Sequence, residues 1–420
     1  MIEMRKLSPG VTLRCFQDQR FKQGCLSIQL LRPMCREESA MNAILPAVLM
    51  RGCRRYPDLR AITHRLDDLY GASVSALVRR IGDIQTVGFY CGFMEDRFAL
   101  EGDAILAPMI DLARQLLLEP VTEGESFSRD YVESEKKNLI SAIESELNDK
   151  RAYAEGKLLR AMCRADSFGV PRLGDPEQVT AVDARSLYSH YRKILRESPV
   201  ELFYVGSAQP ETVAALLRPL FDGDGTRIEP PTQTPFHDCG GSHEWEQMEV
   251  AQGKLCMGFV TPITSHSTDH AAMRVLNGIF GAGMTSKLFM NIREKQSLCY
   301  AVGSGYYGAK GILTVSAGID TQNEERVRSE ILAQLEACRR GGITEQELAA
   351  AKEAMLSGLR GIHDSPGAIE GYYFNAFMGG CDPDPEAYMA QVEAVTAAQA
   401  AQAAKTLQLH SSFFLKGVTA

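Results

Sequence analysis

The chain has 420 residues, of which 45% are hydrophobic and 23% charged, with a formal net charge of −8. This length exceeds one ordinary core and fits two domains of about two hundred residues each, while the acidic balance argues against a nucleic-acid surface, which needs a basic face. No stretch approaches the roughly 20 apolar residues that span a bilayer, and Met1-Ile-Glu-Met-Arg-Lys lacks the apolar core of a signal peptide, so a cytoplasmic protein without membrane contact is expected.

The eleven cysteines are odd in number and form no Cys-x-x-Cys pair, a pattern that suits reduced thiols better than disulfides or a zinc–thiolate site. Strand-like runs at Val11 to Phe16 and Cys25 to Leu31 open the chain. Helical patterns follow, and then two strands are expected at Ala72 to Arg80 and Gln85 to Phe93. Long helical periods come next, at Leu100 to Leu118, Ser126 to Leu147 and Ala152 to Arg164. Residues 223–244 lie in a stretch rich in Pro, Gly and polar residues that carries no apolar period. They are expected to link domain 1–222 to domain 245–420.

The second half repeats the plan. A strand-like run covers Met248 to Val260, strands are expected at Cys299 to Tyr307 and Ile312 to Ile319, helices at Asn323 to Arg339 and Glu345 to Ile362, and a last strand at Ser412 to Gly417. Lys22-Gln-Gly-Cys to Pro33 finds an echo in Ala251-Gln-Gly-Lys to Pro262, with Gln-Gly and Pro at the same separation. Leu69-Tyr70-Gly71-Ala72 likewise parallels Cys299-Tyr300-Ala301 at nearly the same offset. These echoes indicate a duplicated chain. Clustered strands followed by runs of helices predict an α+β fold, each half a mixed or antiparallel sheet covered by helices on one face.

The segment from Gly281 to Tyr300 carries the chemistry. Gly281 to Gly283 closes one helix, Thr285 or Ser286 caps the next, and Leu288, Phe289 and Ile292 give that helix an apolar stripe. Arg293 then falls near the helix end, and Tyr300 opens a strand. A fixed guanidinium and a phenol at such a turn can grip a peptide carbonyl or an oxyanion. The structural alternative is an arginine that complements a helix C-terminus and a tyrosine that packs in the core.

This segment resembles the C-terminal-half signature of the pitrilysin/insulinase-like zinc peptidases and the related mitochondrial processing and core proteins. That signature is Gly-rich, then small-Ser-Arg/Lys-Leu-Phe, then Arg-Glu-x-x-Gly-Leu-x-Tyr; here Ser297 stands where the last glycine would be. The resemblance covers almost the whole chain and implies two homologous αβ domains forming half of a clam-shell. Catalytic members carry His-x-x-Glu-His on the first helix of the N-terminal half, with a distant glutamate as third zinc ligand. Two imidazoles on one helix face bind the metal while the glutamate between them moves a proton. Matching Arg51-Gly52-Cys53 to the family's Lys-Gly-Thr puts Ala43, Pro46 and Ala47 at those places, and Ser141 and Ala142 at the third. None of the five is a zinc ligand. Glu135, Glu144 and Glu146 read as solvated helix charges.

Other chemistries have weaker support. His266 and His270 stand four apart, but Ser267-Thr-Asp269 reads as a helix N-cap; His64 is a lone helical histidine. Gly278 to Gly283 before Lys287 follows a helix rather than a strand and lacks the Gly-Lys-Ser/Thr ending of a phosphate loop. Cys299 has no local histidine-bearing signature and reads as a buried strand residue. The resemblance therefore implies a chain with no metal of its own, whose Arg293 and Tyr300 serve a peptide in trans on a homologous His-x-x-Glu-His-bearing subunit that holds the zinc. The competing expectation is a non-enzymic homodimeric binding or scaffold protein of the same fold.

Overall fold

The computed structural model describes residues 2–146, 148–221, 226–381 and 383–417. The expected end of a helix at Leu147 and the first three residues of the expected linker lie outside the described residues. The first half runs β1 (Ile2–Ser8), β2 (Val11–Gln17), β3 (Gln23–Pro33), α1 (Arg36–Leu49), α2 (Leu59–Asp68), β4 (Ser73–Ile81), β5 (Ile84–Met94), α3 (Leu106–Leu118), α4 (Arg129–Ser145), α5 (Lys150–Met162), α6 (Pro176–Ala181), α7 (Ala184–Glu197), β6 (Val200–Gly206) and α8 (Pro210–Leu217). The second runs β7 (His243–Met248), β8 (Gly253–Val260), α9 (His270–Phe280), a helical segment at Phe289–Lys295, β9 (Ala301–Tyr307), β10 (Ile312–Ile319), α10 (Glu324–Arg339), α11 (Glu345–Arg360), α12 (Pro366–Gly379), α13 (Pro385–Ala394), α14 (Ala397–Thr406) and β11 (Gln408–Gly417).

The strands form two mixed sheets, ordered β1-β2-β6-β3-β5-β4 and β7-β11-β8-β10-β9. In the first, β2 runs parallel to β6, and β6, β3, β5 and β4 then alternate. In the second, β7 runs parallel to β11, and β11, β8, β10 and β9 then alternate. The first sheet without β1 thus has the topology of the second, and the fold is α+β and duplicated.

Local chemistry moves several expected boundaries. The run expected from Met248 to Val260 splits into β7 and β8, which are not neighbours because β11 lies between them. The helix expected from Leu100 begins at Leu106, because Asp96 Oδ1 accepts from the Ile105 and Leu106 N–H groups at 2.9 and 2.8 Å and so satisfies donors that a longer helix would bond internally. Pro46 sits inside α1, which continues through it, the Met50 N–H reaching the Pro46 carbonyl at 3.0 Å.

The sheets are covered on both faces rather than on one. A large core with Leu26, Ile28, Val87, Leu116 and Leu187 fills one face of the first sheet, and Leu255, Leu276, Val315 and Ile331 do the same for the second. The opposite face of the first sheet is covered by α12, where Ile369 and Tyr373 meet Phe16, Cys25 and Phe203. That of the second is covered by α5, where Ala154, Leu158 and Met162 meet Cys256, Ile312 and Phe413. Each helix therefore covers the sheet of the other half of the sequence. The compact units are accordingly discontinuous, one within Met1–Ile143, Val170–Thr232 and Ile362–Met378, the other within Glu144–Gly169, Gln233–Gly361 and Gly379–Ala420. Each of the expected contiguous ranges thus gives up one helix-bearing segment. Helical periodicity shows that a helix exists but not which sheet will receive it.

Both helices are anchored by a carboxylate. Glu370 on α12 is fully buried and accepts from both Arg79 Nη atoms at 2.9 Å and from Ser27 Oγ at 2.7 Å. Glu155 on α5 accepts from Tyr307 Oη at 3.0 Å and Thr314 Oγ1 at 2.7 Å. In the second unit the wholly buried Lys310 Nζ lies 3.0 Å from Asp166 Oδ1 and donates to the Thr234 carbonyl and hydroxyl at 3.0 Å each. Asp166 also accepts from the Phe168 and His237 backbone N–H groups at 2.8 and 3.0 Å. Part of the expected linker is thereby pinned to the β9–β10 turn.

A polar chain runs through α1. Gln85 Nε2 donates to the Ser39 and Arg172 carbonyls at 3.3 and 2.7 Å, so its Oε1 must be the atom that accepts from Asn42 Nδ2 at 2.8 Å. Asn42 Oδ1 then faces His190 Nε2 at 2.7 Å, and that nitrogen must carry the proton. Burial pushes His190 down to about 4; nearby Glu38 opposes this, and Arg32 and Lys193 reinforce it.

Two expectations follow. Lys310→Ala strands Asp166 in the interior and should cost about 3–5 kcal/mol in denaturant unfolding, whereas Lys310→Met combined with Asp166→Asn should recover most of that loss. The unfolded chain binds a proton at His190 near the ordinary value of 6.5 and the folded chain only near 4. This contribution is therefore complete above pH 6.5 and falls as the pH drops toward 4, by on the order of 2 kcal/mol at pH 5. Comparing the wild type with His190→Gln from pH 7.5 to 5 should show the variant losing less.

Candidate functional site

The site segment begins where α9 stops at Gly281, and Gly283 takes a left-handed φ of +115°. Of the two expected caps, Ser286 serves: its Oγ accepts from the Phe289 N–H at 3.4 Å and donates to the Gly283 carbonyl at 2.7 Å. The helix then becomes a π-helix from Phe289 to Lys295, a local overwidening that recurs at functional sites. Leu288 and Ile292 are fully buried and fix the helix to the core of the second unit.

The turn that follows is closed by two hydrogen bonds. The Ser297 N–H donates to the Arg293 carbonyl and the Leu298 N–H to the Ile292 carbonyl, each at 3.0 Å. These bonds span four and six residues, one more each than in a Schellman cap, and close a wider turn whose next-to-last residue takes a left-handed conformation that favours glycine. Ser297 does so with φ +51°. The glycine in the resembled pattern thus has a physical reason, and the serine here bears strain. α2 ends in a related turn: the Gly71 and Ala72 N–H groups reach the Leu66 carbonyl at 3.1 and 3.2 Å, and two residues, Tyr70 and Gly71, are left-handed with φ +60° and +73°.

The cap turns Leu298 and Cys299 inward and Tyr300 outward. Burial raises the Cys299 thiol to about 11, with Arg293 opposing, so a nucleophilic thiolate is disfavoured. The Tyr300 N–H donates to the Gly318 carbonyl at 2.9 Å, tying this residue to the edge of β10. Its ring is 57% exposed, and the phenol makes only a long 3.4 Å contact with Asp320 Oδ1. The Arg293 side chain is 41% exposed; its guanidinium lies 4.6 Å from the Phe289 ring centroid and 3.8 Å from Glu294. The two side chains do not bond each other. Both present donors to solvent from an immobilised turn. The same segment exposes Met284 and Met290, 74% and 41% accessible, a feature the sequence reading missed.

The other candidate positions are accounted for. Ala43 and Pro46 are buried in α1 and Ala47 is half-buried; two methyl groups and a pyrrolidine offer no lone pair to a metal. Nearby Asn42 is committed to His190 and Gln85. Ser141, Ala142, Glu144 and Glu146 are exposed, whereas Glu135, expected to be solvated, pairs with Arg51. The residues at the zinc-motif places therefore do not fit a zinc ion. Among the described residues, no group of three or more His, Cys, Asp or Glu side chains gathers where a metal could be held. Asp269 is the α9 N-cap residue but makes no side-chain capping bond. Burial pushes His270 down to about 4, while His266 and His64 are exposed. Lys287, in the phosphate-loop-like stretch, is buried against Glu347 at 2.7 Å.

The family profile described as the peptidase M16 inactive domain matches residues 181–355. The chain is 28% identical over 416 residues to a protein of Bacillus subtilis (strain 168) named as the probable inactive metalloprotease YmfF, spanning 99% of this chain and 98% of that one. It is 23% identical over 314 residues to the uncharacterized zinc protease YmxG of the same organism, covering 72% and 74% of the two chains. A conserved protein from Enterococcus faecalis V583 superposes with a TM-score of 0.92 at 27% identity over 100% of this chain and 99% of its own. An M16 inactive domain from Pseudomonas fluorescens shares the fold, with a TM-score of 0.82 at 16% identity and coverage of 100% and 99%. The chain is thus similar to pitrilysin/insulinase-like M16 peptidases and to relatives named as inactive, and its own zinc-motif positions carry no metal donors. No helix among the described residues is long and apolar enough to cross a membrane.

Ser297→Gly should relieve the left-handed strain at the cap and raise unfolding stability by about 1 kcal/mol. A thermal or urea melt checks this, with Ser297→Ala expected to show no gain.

Proposed function

We propose that this chain is the substrate-binding, Arg/Tyr-supplying subunit of a heterodimeric zinc-dependent peptidase that cleaves peptides in an enclosed chamber. Its partner in this reading is a homologous subunit bearing His-x-x-Glu-His and the zinc. The observation that carries the proposal is the pairing of opposites within one chain. The zinc-motif helix has no donor at Ala43, Pro46 and Ala47, yet Arg293 and Tyr300 stand exposed on a turn held by two backbone hydrogen bonds and a third to the edge of β10. A structural tyrosine at the start of a strand would more commonly bury its ring.

In this role Tyr300 Oη donates to the scissile carbonyl or the oxyanion of a peptide, and Arg293 holds a neighbouring backbone carbonyl. Met284 and Met290 supply an adaptable apolar surface for peptide side chains. All the cysteines are thiols rather than disulfides, which supports a reducing compartment such as the cytoplasm.

Tyr300→Phe tests the role without threatening the fold, because the ring is exposed and its hydroxyl makes no short bond. In the co-purified two-subunit complex the variant should assemble normally and lose on the order of 10²–10³ in turnover. Turnover equal to wild type, or a self-associating chain that captures no zinc-bearing partner, would assign the fold to a homodimeric scaffold instead.

A further inference from the structure

An open cavity lies on the first unit, on residues to which the peptidase reading gives no role. The loop after α1 and the segment after α3 are tied by backbone hydrogen bonds from Arg54 N–H to the Glu119 carbonyl at 2.8 Å and from Val121 N–H to the Gly52 carbonyl at 3.2 Å, flanking a Cys53–Pro120 bridge. Gly52 is required there, because a Cβ would stand 2.4 Å from the Pro57 carbonyl oxygen. Opposite, α7 is fixed to the end of α3 by Tyr191 Oη, which donates to the Leu117 carbonyl at 2.8 Å. Tyr188 and Tyr191 both pack on Phe127, with ring centroids 5.5 and 5.4 Å away.

These walls enclose an open cavity of about 550 Å³ lined by Arg54, Arg192, Tyr188, Pro57, Leu118 and Val121, among others. Its volume lies within the range of small-molecule sites, roughly 300–1,000 Å³. Its charge is unbalanced. Among the described residues neither Arg54 nor Arg192 has a carboxylate partner, and the carboxylate in the lining, Glu119, is held by Arg114 at 2.6 Å. The Tyr188 hydroxyl makes no hydrogen bond within the described protein. Two exposed arginines without a carboxylate partner among the described residues, a tyrosine and several apolar side chains therefore line one cavity.

We infer that this cavity binds a small molecule that carries an oxyanion on an apolar body. A phosphate or carboxylate head would take the forked donors of Arg54 and Arg192 and the Tyr188 hydroxyl, while the apolar part lies against Pro57, Leu118 and Val121. Both head types share this chemistry, and the choice between them is left to the experiment.

Calorimetric titration of the full-length protein with phenyl phosphate, phenylacetate, inorganic phosphate and benzyl alcohol tests the site. One or both aryl anions should bind saturably at a single site, and the tighter of the two identifies the head group. Inorganic phosphate and benzyl alcohol should each bind at least about tenfold more weakly, and Arg54→Gln and Arg192→Gln should each weaken the aryl anion by about tenfold while leaving the melting temperature unchanged. Absence of saturable binding of either aryl anion at millimolar concentration, equal affinity for inorganic phosphate, or full affinity in the double variant would overturn the assignment.

Discussion

The constraint on which this fold depends is that its central strands are buried on both sides. β6 and β10 are buried along their whole length, and β3 from Gly24 to Arg32. A sheet that presents two dry faces cannot be completed by helices on one of them. In each unit the chain meets that demand with one additional helix from the opposite half of the sequence, α12 for the first sheet and α5 for the second. Helices received in this way also need orientation, since apolar contact alone tolerates sliding. The buried Glu370 bound to Arg79 and Ser27, and Glu155 bound to Tyr307 and Thr314, fix their register. A buried carboxylate without such donors would cost several kcal/mol, so each helix has one favourable seat.

A duplicated scaffold lets the two halves diverge locally while the architecture persists. α1 no longer carries zinc-motif donors, yet its packing duties remain: Ile44, Leu45, Val48 and Leu49 stay in the core, and Asn42 links β5 to α7 through Gln85 and His190. The second half diverged at another place, the helical segment that stands where α2 does in the first. There the end of the π-helix and its cap hold Arg293 and Tyr300 outward, while Leu298 and Cys299 fill the interior beneath them. The exposure of the pair is thus built by burial of its neighbours.

The legibility of these features followed the range of the interactions that make them. The β4 and β5 strands, α10 and the start of α11 were readable because their periods are local. β6 was missed because Val-Glu-Leu-Phe-Tyr-Val-Gly is a short continuous apolar run without alternation, and its one charge, Glu201, is neutralised by Arg14 from the neighbouring β2 at 2.9 Å. The seats of α5 and α12 could not be read, because the partners of Glu155 and Glu370 are more than a hundred residues away in sequence. Separation in sequence also hid the Arg51–Glu135 pair, 84 residues apart, and the Lys310–Asp166 pin, 144 apart. At the candidate site the turn itself was legible from Gly281 to Tyr300, whereas the exposed methionines beside it were not, since a methionine in a helical pattern is read as core.

Ser297 connects the site's sequence departure to its physics. A side chain at a left-handed cap raises the energy of the turn, and an unconstrained chain would relieve it by fraying the last helical turn. That relief is closed here. Fraying would expose Ile292 and Leu298, both packed in the second core, and would release the Tyr300 N–H from the Gly318 carbonyl. Exposing even one such side chain costs about 1.5–3 kcal/mol, against roughly 1–2 kcal/mol of strain. The cap therefore survives the loss of its glycine, and the outward aim of Arg293 and Tyr300 survives with it.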